Sequence, residues 1–203
     1  MSNIEETDNW PQHEVDTEYH RLLPIGKIFD GVGMIEHPSP SFESVQLLPL
    51  APMLEPEYPR SGDDGNCWHC APNDKWIWRD EHWHLTSMHT GMPFFGALSP
   101  NEHVFLDSAP EEILEALGGV LQRLSRAVKQ IPGVARLHYG RFNDGGEHWH
   151  QQVVARPLGM MQARGAMSYL WEGELPVMPQ EMWEKHSRIV AQALGADGGE
   201  ALI

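Results

Sequence analysis

His148-Trp149-His150-Gln151-Gln152-Val153-Val154-Ala155-Arg156 is polar and aromatic at its start, apolar towards its end, and stopped by Pro157. Just before it, Asn143-Asp144-Gly145-Gly146 is a strong turn signal. The stretch, residues 148–156, therefore reads as a strand entered from a hairpin turn. Side chains on a strand alternate with period two, so His148, His150 and Gln152 are expected on one face and Trp149, Gln151 and Val153 on the other. Three successive polar groups do not make a buried apolar face. On spacing alone they are either a solvent-facing stripe on an edge strand or a cluster assembled for chemistry.

Upstream of the turn, residues 134–142 read as the partner strand. Before that, residues 109–131 read as the longest helix. Pro110 suits its first turn, and Glu111 and Glu112 complement the helix dipole there. Ile113, Leu117, Val120, Leu121, Leu124 and Val128 recur at helical spacing, and Pro132-Gly133 ends the run. Gly118-Gly119 is a weak point in its middle. Residues 75–78, 82–88 and 94–98 read as strands, with a polar turn at Arg79-Asp80-Glu81. Downstream, residues 180–194 form a terminal helix ended by Gly195. Strands, helix, hairpin and helix in that order predict an α+β fold with a mainly antiparallel sheet.

The protein has 203 residues and a formal net charge of −15. That charge argues against binding nucleic-acid polymers or anionic membranes, whose partners need basic patches. It leaves room for a small nucleotide in a locally positive pocket. No apolar run is long enough to span a bilayer. Residues 1–10 are acidic and polar, unlike a secretory signal peptide, and a cytoplasmic protein is expected. Eight prolines between Pro11 and Pro59 interrupt every candidate element. Residues 1–60 are therefore expected as an irregular Pro-rich arm, with short extended pieces such as residues 44–48, and residues 61–203 as the folded domain.

Cys67 and Cys70 are the only cysteines, in Cys67-Trp68-His69-Cys70 after a Gly/Asp/Asn loop. In a reducing compartment a C-x-x-C pair is more often metal-binding or redox-active than a structural disulfide. Two thiolates at this spacing fit tetrahedral zinc, with two histidines as the usual completion. His103 and His148 would complete a closed structural site. The competing readings are a pair of inert buried thiols, or a thiol-disulfide oxidoreductase. No βαβ pattern surrounds the pair to support the second. His82, His84 and His89 read either as a second metal group or as hydrogen-bonded histidines. Among the eight Trp, Trp78 and Trp83 are the candidates for a wall against which a base could stack, although Trp is mostly core.

With these residues in view, the chain resembles the histidine-triad (HIT) superfamily, whose signature strand is His-x-His-x-His followed by apolar residues. Here Gln152 takes the third place. His-x-His-x-Gln resembles the branch containing galactose-1-phosphate uridylyltransferase and the dinucleoside polyphosphate phosphorylases. Cys67, Cys70, His103 after Pro100, and His148 match in order the zinc ligands of some members. The resemblance covers about residues 65–160. It implies an enzyme acting on a nucleoside phosphate or dinucleoside polyphosphate through a covalent nucleotidyl-histidine. Transfer is favoured over hydrolysis because Gln152 stands where hydrolases carry His. It further implies His150 as nucleophile, Gln152 as donor to a phosphate oxygen, structural zinc, and a homodimer. Asn143 and the amides of Gly145 and Gly146 would face the phosphate. Relatives place a carboxylate in the second strand to hold ribose, and residues 84–88 have none. A non-catalytic zinc-stabilised module that binds a nucleotide or a protein is the reading from another class.

Overall fold

The computed structural model describes residues 28–30, 42, 44–46, 49, 67–70, 72–142 and 148–203. The chain divides into two compact units, Met1–Pro59 and Arg60–Ile203. In the first, β1 (Ile28–Asp30) pairs antiparallel with β2 (Ser44–Gln46). The N-terminal stretch expected as an irregular arm thus contains a short two-stranded ladder.

The second unit is α+β. Its sheet has six antiparallel strands in the order β6-β7-β5-β4-β3-β8. These are β3 (Trp76–Arg79), β4 (Trp83–Thr86), β5 (Phe95–Pro100), β6 (Val134–Gly140), β7 (Gln151–Pro157) and β8 (Glu200–Ala201). The helices are α1 (Glu111–Val128), α2 (Met167–Glu174) and α3 (Gln180–Ala196). Asp80 makes the β3–β4 turn: its Oδ1 accepts from the backbone N–H groups of His82 and Trp83 at 3.0 and 2.8 Å. Its other oxygen binds Arg123 of α1 at 2.6 Å.

Alternation along β7 sorts its residues onto two faces. Val153 and Ala155 join the main core with Ile77, Leu85 and Leu98 of the sheet, Ile113, Val120 and Leu124 of α1, and Val190 and Leu194 of α3. Val154 lies on the other face, with Phe95 and Met92, against which Tyr169 of α2 and Leu175 pack. The apolar stripe of α1 is therefore used by its own sheet. Gly118 and Gly119 do not interrupt this helix. An added Cβ at either would meet nothing within 4 Å, so both lie on its open side.

Three elements of this unit differ from expectation, β7 and β8 for a local cause. β7 starts at Gln151 rather than His148. The Trp149 N–H donates to the Val104 carbonyl at 2.8 Å, a loop partner, so the residues before Gln151 leave the ladder. β8, after Gly198 and Gly199 with φ of +128° and +84°, was not expected; it hooks onto β3 through Trp78↔Ala201. The short α2 in the Gly- and Met-rich segment was also not expected. No helix among the described residues is long and apolar enough to cross a membrane.

Candidate metal and nucleophile site

Trp149 anchors the site. Its indole is buried and meets Trp83 edge-on at 5.2 Å in the main core. With residue 149 held on that side, the flanking His148 and His150 are directed away from it.

His148 is buried. Its Nδ1 lies 3.3 Å from both Cys67 Sγ and Cys70 Sγ. Its Nε2 lies 3.2 Å from the Pro100 carbonyl. A carbonyl only accepts, so Nε2 carries the proton and the Nδ1 lone pair faces the sulfurs. The 67–70 turn is closed by the Cys70 N–H donating to the Cys67 carbonyl at 3.1 Å. His103 comes from the loop after β5, and its Nδ1 is 3.2 Å from Cys70 Sγ. Asn101 fastens that loop: its backbone N–H donates to His82 at 2.8 Å and its amide to Asp80 and Glu81 at 2.9 and 3.1 Å.

One donor atom from each of Cys67, Cys70, His103 and His148 lies within 4.8 Å of the other three. This group can bind a metal ion. Two sulfurs and two imidazole nitrogens suit zinc, and a zinc tetrahedron of this composition has S···N edges of about 3.6 Å, close to the 3.2–3.3 Å observed. Burial pushes His148 down to about 4, and His103 and His150 add to this against the opposing Pro100 bond. The ring is thus neutral at pH 7, as a ligand must be. Burial and the neighbouring Cys67 push the Cys70 thiol up to about 11. A bound cation would reverse that preference.

His150 is half-buried and stands apart from the four donors. Its Nδ1 donates to the His148 carbonyl at 2.9 Å, which leaves Nε2 as the free lone pair. Gln152, on β7, sits opposite Ala97 of β5 and Gly140 of β6. By alternation its side chain shares the face of Val154, away from α1. Its carbonyl accepts from the Tyr169 hydroxyl at 3.1 Å. His148, His150 and Gln152 are therefore not three positions of one strand: only Gln152 is in the ladder.

Trp78 and Trp83, expected as a base wall, are both 0% exposed and belong to the main core. Trp78 is capped by Arg123 over its ring at 5.3 Å and donates Nε1 to Gly198 at 3.0 Å. Neither has a face open to a nucleobase. Asn143, Gly145 and Gly146 lie outside the described residues. His84 and His89 do not converge on a second metal. His84 stacks on Trp76 at 3.7 Å and faces Asn101, whereas His89 binds the Met178 carbonyl and stacks on Trp183.

His69 was not singled out from the sequence. It is buried, its Nδ1 is 2.9 Å from Ser99 Oγ, and its ring stacks on His150 at 4.8 Å and 16°. Burial, then His150, His148, His84 and His103, push it down to about 3. A usable signal was present: it lies inside the C-x-x-C turn, and the turn had already been joined to His148, two residues from His150.

No protein-family model matches the sequence, and no curated protein matches it. Among solved structures the chain is similar to a zinc-bound histidine triad family protein from Mycobacterium smegmatis, at 20% identity and TM-score 0.45 over 62% of this chain and 86% of that one. A histidine triad protein from Marinobacter aquaeolei VT8 is similar at 15% identity and TM-score 0.49, over 60% and 90%. A uridylyltransferase mutant is similar at 18% identity and TM-score 0.43, over 76% of this chain and 57% of that one.

Proposed function

We propose that this protein is a HIT-like enzyme that acts on a nucleoside phosphate or dinucleoside polyphosphate through a covalent nucleotidyl-His150. The observation that supports this reading is the division of labour between the two histidines. His148 turns its lone pair towards two thiols, whereas His150 keeps Nε2 free and has its tautomer set by the His148 carbonyl. A neutral, oriented imidazole is a competent nucleophile towards phosphorus.

In the first half-reaction the Nε2 lone pair forms the N–P bond to the α-phosphate. The P–O bond to the leaving group breaks, and its electron pair departs on oxygen. The proton stays on Nδ1, hydrogen-bonded to the His148 carbonyl, so the ring becomes an imidazolium with no proton acceptor required. An oxygen of an acceptor phosphate or sugar phosphate then forms a new P–O bond as the N–P bond breaks, and that electron pair returns to Nε2, which restores neutral His150 with its proton on Nδ1. Gln152 donates to a non-bridging oxygen as charge shifts, and Asn143 with the Gly145 and Gly146 amides supplies further donors. Gln rather than His at this position favours a transferase or phosphorylase over a hydrolase. Cys67, Cys70, His103 and His148 would hold zinc. With all four donors from protein, it would be a structural cross-link.

The test is to incubate the protein with α-phosphate-labelled mononucleotides, sugar nucleotides and dinucleoside polyphosphates and to measure acid-labile, base-stable label on His150. Saturable nucleotide binding with no label from any of them would instead support the binding-module reading, which the carboxylate-free stretch 84–88 favours.

A further inference from the structure

One bond holds one edge of the His150 ring, from Nδ1 to the His148 carbonyl. A single contact leaves the ring free to pivot about it, and Nε2 would sweep an arc. The second constraint lies on the ring face. His69 is 5% exposed and parallel to His150 within 16°, at 4.8 Å between centroids. His69 is itself tied, through Nδ1, to the hydroxyl of Ser99 at 2.9 Å. Ser99 is fully buried on β5, paired with His84 of β4. The face of His150 thus rests on a ring fastened to the centre of the sheet.

We propose that His69 is a positioning residue, a fixed aromatic wall that holds the His150 imidazole so that Nε2 points along the line of attack. This rests on the reading of His150 as the nucleophile. His69 exchanges no bond or proton in the step. It fixes the plane of the ring before attack and presents a π-face to the imidazolium that attack creates. Misplacing a reacting group by about 1 Å can cost on the order of a hundredfold in rate, so loss of the wall would lower the rate of N–P bond formation and leave zinc in place.

Phosphoramidate tests this without knowledge of the substrate. It transfers a phosphoryl group to an imidazole nitrogen with loss of ammonia, and so reads how Nε2 is presented. The zinc-loaded full chain and its His69→Ala, His69→Phe and Ser99→Ala variants would be compared. The measurements are the initial rate of Nε2 phosphorylation at residue 150, by peptide mass spectrometry, and the zinc content. We expect His69→Ala to slow labelling about tenfold or more. His69→Phe, which keeps a stacking ring, should return it to within about threefold of wild type, and Ser99→Ala should fall between. Labelling of His69→Ala at the wild-type rate or faster overturns the proposal, as does a His69→Phe as slow as His69→Ala. If His69→Ala loses zinc or fold, Ser99→Ala decides, and an unchanged rate there overturns it. A wild-type His150 that is not labelled overturns it too. Labelling of His150 by phosphoramidate but by no nucleotide would sink the nucleotide reading alone and leave the positioning role standing.

Discussion

The backbone carbonyl of His148 accepts a hydrogen bond from the Nδ1 of His150 at 2.9 Å. The same residue that directs its own ring to the two thiols thus sets the tautomer of its neighbour but one. A backbone bond of this kind survives loss of the His148 side chain, and the two histidines can be separated by substitution.

His150→Ala should keep fold and metal and lose the covalent intermediate entirely. His148→Ala should lose metal and stability, with activity falling as a consequence. Labelling with α-phosphate-labelled nucleotide, read beside zinc content, checks this. A His150→Ala protein that still becomes labelled would reverse the assignment.

Elemental analysis should find about one zinc per chain, as a four-donor site of this kind holds a single ion. Cys70→Ser removes a donor 3.2–3.3 Å from both histidines. It should abolish the metal and destabilise the fold by several kcal/mol, roughly, since structural metal binding is part of the folding free energy. Metal-free protein that unfolds at the same urea concentration as zinc-loaded protein would contradict this.

Acid should destabilise the protein through His84, whose ring is fully buried against Trp76. Burial holds it down to about 4, against the raising effect of Asn101 and with a further lowering by His148. An unfolded histidine titrates near 6.5. Between these values the unfolded chain binds a proton that the folded chain refuses. The contribution is therefore complete above pH 6.5 and is lost as pH falls towards 4, by at most about 3 kcal/mol. Urea unfolding from pH 7 to pH 4.5 should show a steeper loss in wild type than in His84→Gln. Parallel slopes would refute this assignment, since the metal donors are common to both proteins.

Gly96→Ala should be among the most damaging single-methyl changes. A Cβ there would lie 2.0 Å from the backbone oxygen of Thr86 on the adjacent strand, and neither strand can move without disturbing the sheet. A loss on the order of 3 kcal/mol is expected, at the upper end for overpacking. Gly119→Ala, with open space around the new methyl, should be neutral or stabilising by up to about 1 kcal/mol. Chemical denaturation of the pair measures both, and equal midpoints would contradict a close β4–β5 approach at Gly96.

Much of the architecture was legible from periodicity alone. The apolar stripe of α1 and the alternation around Val153, Val154 and Ala155 are local patterns with a fixed period, and each identifies its own buried face. The four metal donors were legible because thiol and imidazole are chemically distinctive and the C-x-x-C spacing is set by a single turn. The ends of elements were not, because a strand ends where its hydrogen bonds find other partners. Trp149 binding Val104 is a contact between residues 45 positions apart.

What only the tertiary structure decided is which aromatic rings meet which. Composition cannot tell Trp83, sealed in the core against Trp149, from a tryptophan left open to stack a base. Nor can spacing alone show that His69 lies flat on His150, since the two are 81 positions apart and are brought together by the cysteines on one side and His148 on the other. Chemistry and local period are written residue by residue. Ring orientation depends on everything packed around it, and so exists only once the sheet and the 67–70 turn have assembled.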